Sequence, residues 1–241
     1  MNGETLALRP IAHIRSPFTE KFGIPRQSGL VEEVSAQVVF EEGFRAPEAF
    51  RGMEGFSHLW LLWGFSQTAD QGWSPTVRPP RLGGNQRMGV FATRSPFRPN
   101  PIGLSSVRLL GVEQSAELGP VLRVAGADLM NGTPIFDIKP YIPLSDCHPE
   151  ATGGFSPRDN APLLEVDFPE GLLSQIPERA RSALMGVLAQ DPRPAYQKDP
   201  NRRYGVPFAG YDVRFTVEDS VLRVVEVERL KGEPHERKAE T

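Results

Sequence analysis

Six arginines and no acidic residue occupy residues 71–112 of this 241-residue chain: Arg78, Arg81, Arg87, Arg94, Arg98 and Arg108. The whole chain carries 27 Lys and Arg against 30 Asp and Glu, a net charge of −3, so everything outside that stretch sums to −9. An acidic protein that keeps one arginine-only stretch has the charge pattern of a chain that meets a phosphate or polyanion there. Within it, Gly89-Val-Phe-Ala-Thr-Arg-Ser-Pro-Phe-Arg-Pro-Asn-Pro-Ile-Gly103 starts as a strand and breaks into a loop with Pro96, Pro99 and Pro101. Proline fixes φ, so Arg94, Arg98 and Asn100 stand on a stiff turn with little entropy left to lose on binding. A second Pro and Arg stretch, residues 75–87, carries Arg78, Arg81 and Arg87 and by itself reads as a solvated loop.

Three further segments hold polar residues among apolar ones. Ile24-Pro-Arg-Gln27 follows the first strand, and Ala127-Asp-Leu-Met-Asn-Gly-Thr-Pro134 puts Asp128 and Asn131 at a strand end. Asn131-Gly132 is a hairpin-turn signal, and Asp137 two residues before Lys139 makes a same-face ion pair on a strand. Trp60, Trp63 and Trp73 cluster near His58, which reads as barrel core with the histidine at the rim. No Gly-x-Gly-x-x-Gly, phosphate-binding Gly-x-x-x-x-Gly-Lys-Ser/Thr or Gly-x-Ser-x-Gly exists, so a dinucleotide fold, a P-loop and a serine-hydrolase elbow lack support. His13, His58, His148 and His235 are too scattered to suggest a metal site. Cys147 is alone, which points to a reducing compartment. The first nine residues do not read as a signal peptide, and no apolar run approaches the roughly 20 residues that span a bilayer. The expectation is a cytoplasmic protein without metal or membrane.

The elements that must carry these residues are short. Gly (23) and Pro (24) make up about a fifth of the chain, which favours turns over long helices. Strand-sized runs at 11–15, 37–40, 58–65, 88–93, 104–112, 121–129 and 135–139 fit an all-β barrel or sandwich, with one short helix at 47–50. Gly153, Gly154, Ser156, Pro157 and Asn160 mark a linker over 150–161. Beyond it, Ile176, Ala180, Ala183, Leu184, Val187 and Leu188 predict a helix that Asp191-Pro192 ends. Residues 211–217 alternate, turn at 218–220 and run back over 221–230, so 161–231 reads as a smaller α+β module after a domain at 1–150. The charged residues 232–241 read as a disordered tail.

Taken together these segments resemble the TrmO or TsaA-like family, bacterial tRNA methyltransferases acting on N6 of threonylcarbamoyladenosine beside the anticodon. The most specific match is residues 89–100, with Glu54-Gly-Phe-Ser-His-Leu-Trp60, 75–84, 128–134 and 137–141 in the same order. Gln190-Asp-Pro-Arg-Pro-Ala-Tyr196 is similar to the hallmark of the family's carboxy-terminal module. The resemblance implies a single-sheet β-barrel that binds S-adenosylmethionine without a Rossmann sheet, and a homodimer with the cofactor near its interface. It implies cofactor contacts at Pro25, Arg26, Gln27, His58, Leu59, Arg94, Leu104, Gly126, Ala127 and Asp128. Arg94 or Arg26 would pair with the cofactor carboxylate and Asp128 with its ribose or amino group. Asp137 and Tyr141 are the candidate bases for N6, and Arg78, Arg81, Arg87, Arg98, Arg193, Lys198, Arg202 and Arg203 the candidate contacts to the anticodon loop, with threonine tRNA the expected substrate. The alternative is a non-catalytic barrel that only holds RNA.

Overall fold

The computed structural model describes residues 6–156, 162–193, 199 and 202–230, with the backbone only at Ala69 and Arg81. Among the described residues there are twelve strands and three α-helices, and ten of the strands make the two sheets that enclose two separate cores. In the first, β1 (Ala12–Arg15), β2 (Ser35–Phe40), β3 (His58–Gly64), β6 (Ile102–Ser115), β7 (Gly119–Ala125) and β8 (Pro134–Pro140) pair antiparallel in the order β1-β2-β7-β6-β3-β8. β8 pairs with both β3 and β1, so the sheet closes into a barrel and leaves no edge strand. Alternate residues fill the interior: Ala12 and Ile14, Ala36, Val38 and Phe40, Leu59 and Leu61, Leu122 and Val124 are all buried. This is the period of two written in those strands.

The run at 88–93 lies outside the barrel. β4 (Thr76–Val77) and β5 (Met88–Gly89) make a separate two-stranded ribbon, and residues 90–92 turn as a 3-10 helix. Beyond Val77, Pro79 and Pro80 cannot donate to a ladder, so the pairing stops after two residues. Pro47–Phe50 is a 3-10 turn, and Phe50 plugs one side of the barrel against Phe40 with ring centroids 4.7 Å apart.

After α1 (Pro143–Asp146), residues 147–156 hold no regular element, and 157–161 of the expected linker lie outside the described residues. The second core places α3 (Glu178–Ala189) on a sheet of order β10-β11-β12-β9: β10 (Tyr204–Phe208), β11 (Tyr211–Glu218), β12 (Val221–Arg229) and β9 (Glu165–Asp167), the last parallel to β12. A short helix, α2 (Glu170–Leu173), precedes α3. β10 was not foreseen because Gly205 and Pro207 break its pattern; an edge strand tolerates that proline. This core also takes in Phe18, Val31 and Val34 from the stretch joining β1 to β2. Residues 232–241 lie outside the described residues.

Leu61 is fully buried in the barrel. Leu61→Ala should cost about 2–5 kcal/mol, read as a lower urea midpoint at unchanged slope.

Candidate functional site

Where β3 ends, β6 begins and the chain leaves β7, the barrel opens into a cavity of about 520 Å³. Its floor is aromatic and tightly packed. A Cβ on Gly103 would fall 2.2 Å from the Trp63 indole, so only glycine lets that ring lie against β6. The Trp63 and Phe65 rings sit 4.4 Å apart.

Ser105, two residues further along β6, takes an inward barrel position and is 2% exposed. A buried hydroxyl needs partners, and it has two: Trp63 Nε1–H donates to Ser105 Oγ at 3.0 Å, and Ser105 donates to Asp128 Oδ1 at 2.6 Å. Asp128 faces the cavity. Burial pushes its carboxyl above the ordinary value, opposed by the Ser105 bond, by backbone N–H groups including that of Ser28, and by the Arg94 charge.

Cations line the rim. Arg94 Nη1 donates to Gln27 Oε1, and Gln27 Nε2 to the Arg26 carbonyl. Arg98 Nη1 donates to the Thr93 and Ser95 carbonyls at 3.1 and 3.4 Å, so this arginine closes its own proline-rich loop. Lys21, Arg26, Arg94 and Arg98 all line the cavity, against the single carboxylate of Asp128.

Of the residues singled out from sequence, Pro25, Arg26, Gln27, Arg94, Leu104 and Asp128 meet here. His58, Leu59, Gly126 and Ala127 do not line the cavity. Leu59 and Ala127 are each 1% exposed in the barrel core. Gly126 adopts φ +73° and is a backbone anchor, accepting from Gly29 N–H and donating to the Val34 carbonyl. His58 starts β3, six residues or roughly 20 Å of strand from the cavity end. Its ring is 6.1 Å from that of Tyr141, which follows β8. Trp60 is not core either: it points outward and donates to Asp146 Oδ2 at 2.9 Å.

The two candidate bases also stand apart from the cavity. Asp137 pairs with Lys139 at 2.8 Å on the outer face of β8. The Tyr141 phenol is pushed above its ordinary value by desolvation first and then by Cys147 and Asp146.

Among the arginines expected to meet RNA, Arg78, Arg87, Arg202 and Arg203 are exposed. Arg87 donates to Thr76 Oγ1, and Arg202 lies 5.5 Å from the Tyr204 ring centroid. Arg193 is turned inward: 12% exposed, it donates to both oxygens of Asp191. That bidentate pair engages its Nε and Nη2 donors. Only the backbone of Arg81 is described, and Lys198 lies outside the described residues, as do residues 194–196 of the 190–196 motif. In the sequence Trp63 reads only as barrel core, and Ser105 and Gly103 carry one signal, that a serine and a glycine fall at inward positions of an apolar strand. Among the described residues no group of three His, Cys, Asp or Glu could hold a metal, and no helix is long and apolar enough to cross a membrane.

A closed antiparallel barrel with a cation-rimmed, aromatic-floored cavity at its mouth, backed by a helix-on-sheet module, defines a two-module β protein with a cavity of small-ligand size. The family model for the tRNA-methyltransferase O N-terminal domain matches residues 13–147, and that for the TrmO C-terminal domain matches 161–230. The chain belongs to the tRNA-methyltransferase O family. It is 43% identical over 226 residues, 90% of this chain and 96% of the relative, to a tRNA (adenine(37)-N6)-methyltransferase of Escherichia coli (strain K12). A Pyrococcus abyssi (strain GE5 / Orsay) relative named a probable S-adenosyl-L-methionine-binding protein is 36% identical over 190 residues, 73% of this chain and 96% of that one. The crystal structure of TrmO from Pseudomonas aeruginosa aligns with TM-score 0.76 at 36% identity, over 93% of this chain and all of that one.

Because burial raises Asp128 above 3.8, the folded protein binds that proton more tightly than the unfolded chain. Its contribution to stability is therefore full below the unfolded value and is lost as pH rises through the folded one. Asp128→Asn keeps an oxygen for Ser105. It should be more stable than the wild type at neutral pH, and urea titrations repeated at falling pH should show that gain vanish below 3.8.

Proposed function

We propose that this chain is an S-adenosylmethionine-dependent methyltransferase acting on N6 of the adenosine at position 37 of tRNA. Its substrate is the threonylcarbamoyl-bearing form of that base, carried by threonine tRNA. The family and the names of its relatives support the reaction. The observation that carries the reading to this chain is the chemistry of the cavity: one wired carboxylate, an arginine rim and an aromatic floor.

S-adenosylmethionine has a carboxylate, an amino group, a ribose and a flat base, and those residues fit it. Arg94, steadied by Gln27, or Arg26 would hold the carboxylate. Asp128 would accept from ribose hydroxyls or the amino group, and Trp63 and Leu104 offer apolar walls. Thr68 Oγ1 lines the same cavity and is buried with no partner among the described residues, so it has hydrogen-bonding capacity to spare. When bound, the cofactor supplies an electrophilic methyl group on a sulfonium. This barrel offers a binding mode that needs no Rossmann glycines.

The chain's own task is positioning. N6 is a weak nucleophile, its lone pair delocalised into the ring, so holding it in line and taking its proton are what the protein contributes. In a single chain neither Asp137 nor Tyr141 reaches the cavity, and a homodimer accounts for this. The outer faces of β3 and β6 are apolar next to the cavity: Leu104 is 52% exposed and lies beside Leu62, with Trp60 further along β3. A second copy covering that face would bring its own His58, Asp137 and Tyr141 toward the site. Arg78, Arg81, Arg87, Arg202 and Arg203 then hold the anticodon loop, the cofactor domain being 1–150 and the tRNA-extending module 161–231. The enzyme works in the cytoplasm, in keeping with one free cysteine.

Mass spectrometry of nucleosides after incubating the protein with cofactor and threonylcarbamoyl-bearing tRNA should show that nucleoside gain one methyl; an unchanged mass refutes the proposal. Arg94→Ala should weaken cofactor binding by more than about tenfold in calorimetry. Leu62→Glu should give a monomer by light scattering and lose activity with it.

A further inference from the structure

We propose that the carboxy-terminal module is a clamp for the cofactor wall: α3 and β10 hold residues 17–34, and that arm presents Pro25, Arg26 and Gln27 to the cavity. The inference rests on the cavity binding S-adenosylmethionine. It assigns the module a positioning role in addition to any contact with tRNA.

The arm leaves the barrel after β1 and returns at β2. Its ends are tied to the barrel through the backbone: Asn131 N–H donates to the Phe18 carbonyl at 2.7 Å, and Gly29 and Val34 bracket Gly126 at 2.8 and 2.9 Å. Further contacts hold it against the second module. Phe18 is fully buried, edge-on to Phe208 with centroids 5.6 Å apart, and the Pro17 carbonyl accepts from Ala209 N–H at 2.9 Å. Gly23, at φ +88°, presses so closely on Val206 that a Cβ there would meet it at 2.6 Å. On the far side of the cavity residues, Val31 sits in the second core, and Gln190 Nε2 donates to the Leu30 carbonyl at 3.2 Å.

The cavity residues 24–27 therefore hang between two anchors, Gly23 on β10 and Leu30-Val31 on α3. From there they reach the chemistry directly. Gln27 meets Arg94, and the Ser28 backbone N–H reaches the Asp128 carboxylate. Moving α3 against Val31 shifts the groups that orient the cofactor's partners on both sides of the cavity.

Gly186 offers a clean lever. It lies on α3, and a Cβ there would come 2.6 Å from Val31 Cγ1, forcing the arm outward. A helix-interior Gly→Ala change gains helix propensity, so the module itself is not weakened by losing helix. In the full-length protein, Gly186→Ala should weaken S-adenosylmethionine binding by about tenfold in calorimetry. The KM for tRNA and the kcat at saturating cofactor should stay within about twofold, a split that general unfolding does not produce. Adding Val31→Ala makes room for the new methyl, and the double variant should recover to within about threefold of wild type. If Gly186→Ala does not fold, Gln190→Ala, which removes one tether and adds no bulk, decides by the same titration, with about threefold weaker binding expected. The clamp is overturned if the folded variants bind the cofactor as tightly as wild type, or if Val31→Ala rescues nothing. A wild-type protein that gives no heat with S-adenosylmethionine would refute the cofactor reading itself.

Discussion

Asp128 carries a charge at the mouth of a packed barrel, where desolvation makes that charge expensive. Much around the cavity follows from making it tolerable. The Ser105 hydroxyl replaces an apolar residue at an inward position of β6, and the Trp63 indole N–H fixes that hydroxyl's remaining capacity, so the chain from ring to carboxylate has no loose polar end. Gly103 exists to let the indole lie flat enough to reach it. Arg94 supplies the countercharge without a direct ion pair, leaving both groups free to meet a ligand. A carboxylate held this way is oriented before anything binds, and preorganisation of this kind lowers the entropy lost on binding.

The second dependence runs between the modules. A barrel with closed sheet edges could in principle stand alone, yet the stretch that lines one side of its cavity is buried in the other core, through Phe18, Val31 and Val34. Glycines mark the closest approaches: Gly23 against Val206, Gly186 against Val31, and Gly126 against the backbone of Gly29. The arm is thus fixed by packing that a side chain at any of these points would disturb. Such geometry couples the fold of the carboxy-terminal module to the shape of the cavity.

Much of the barrel could be read from alternation. The runs at 11–15, 37–40, 58–65, 104–112, 121–129 and 135–139 all became barrel strands, because a half-buried strand writes its inward face at every second residue. The run at 88–93 looked the same and is not one, since the prolines that end its partner strand are what decide its pairing. β10 was hidden by Gly205 and Pro207, which only an edge position excuses. The arginine loop was legible as a stiff cationic turn, but not that Arg98 turns Nη1 back onto its own loop, or that Arg193 turns Nε and Nη2 onto Asp191.

By itself the sequence determined residue types and local order: the arginine stretch without acids, the proline-stiffened loop, the strand periodicity and motifs specific enough to mark a family. These are properties of short windows, where sterics and hydrophobic spacing act between near neighbours. Only the tertiary structure decided which of them share a cavity. Asp128 meets Ser105 across 23 residues, Arg94 meets Gln27 across 67 and Gln190 meets Leu30 across 160. His58 and Tyr141, expected at the same site, came to rest together at the far end of β3. Strand order and closure set those distances, and they arise from the packing of the whole chain, which no local pattern encodes.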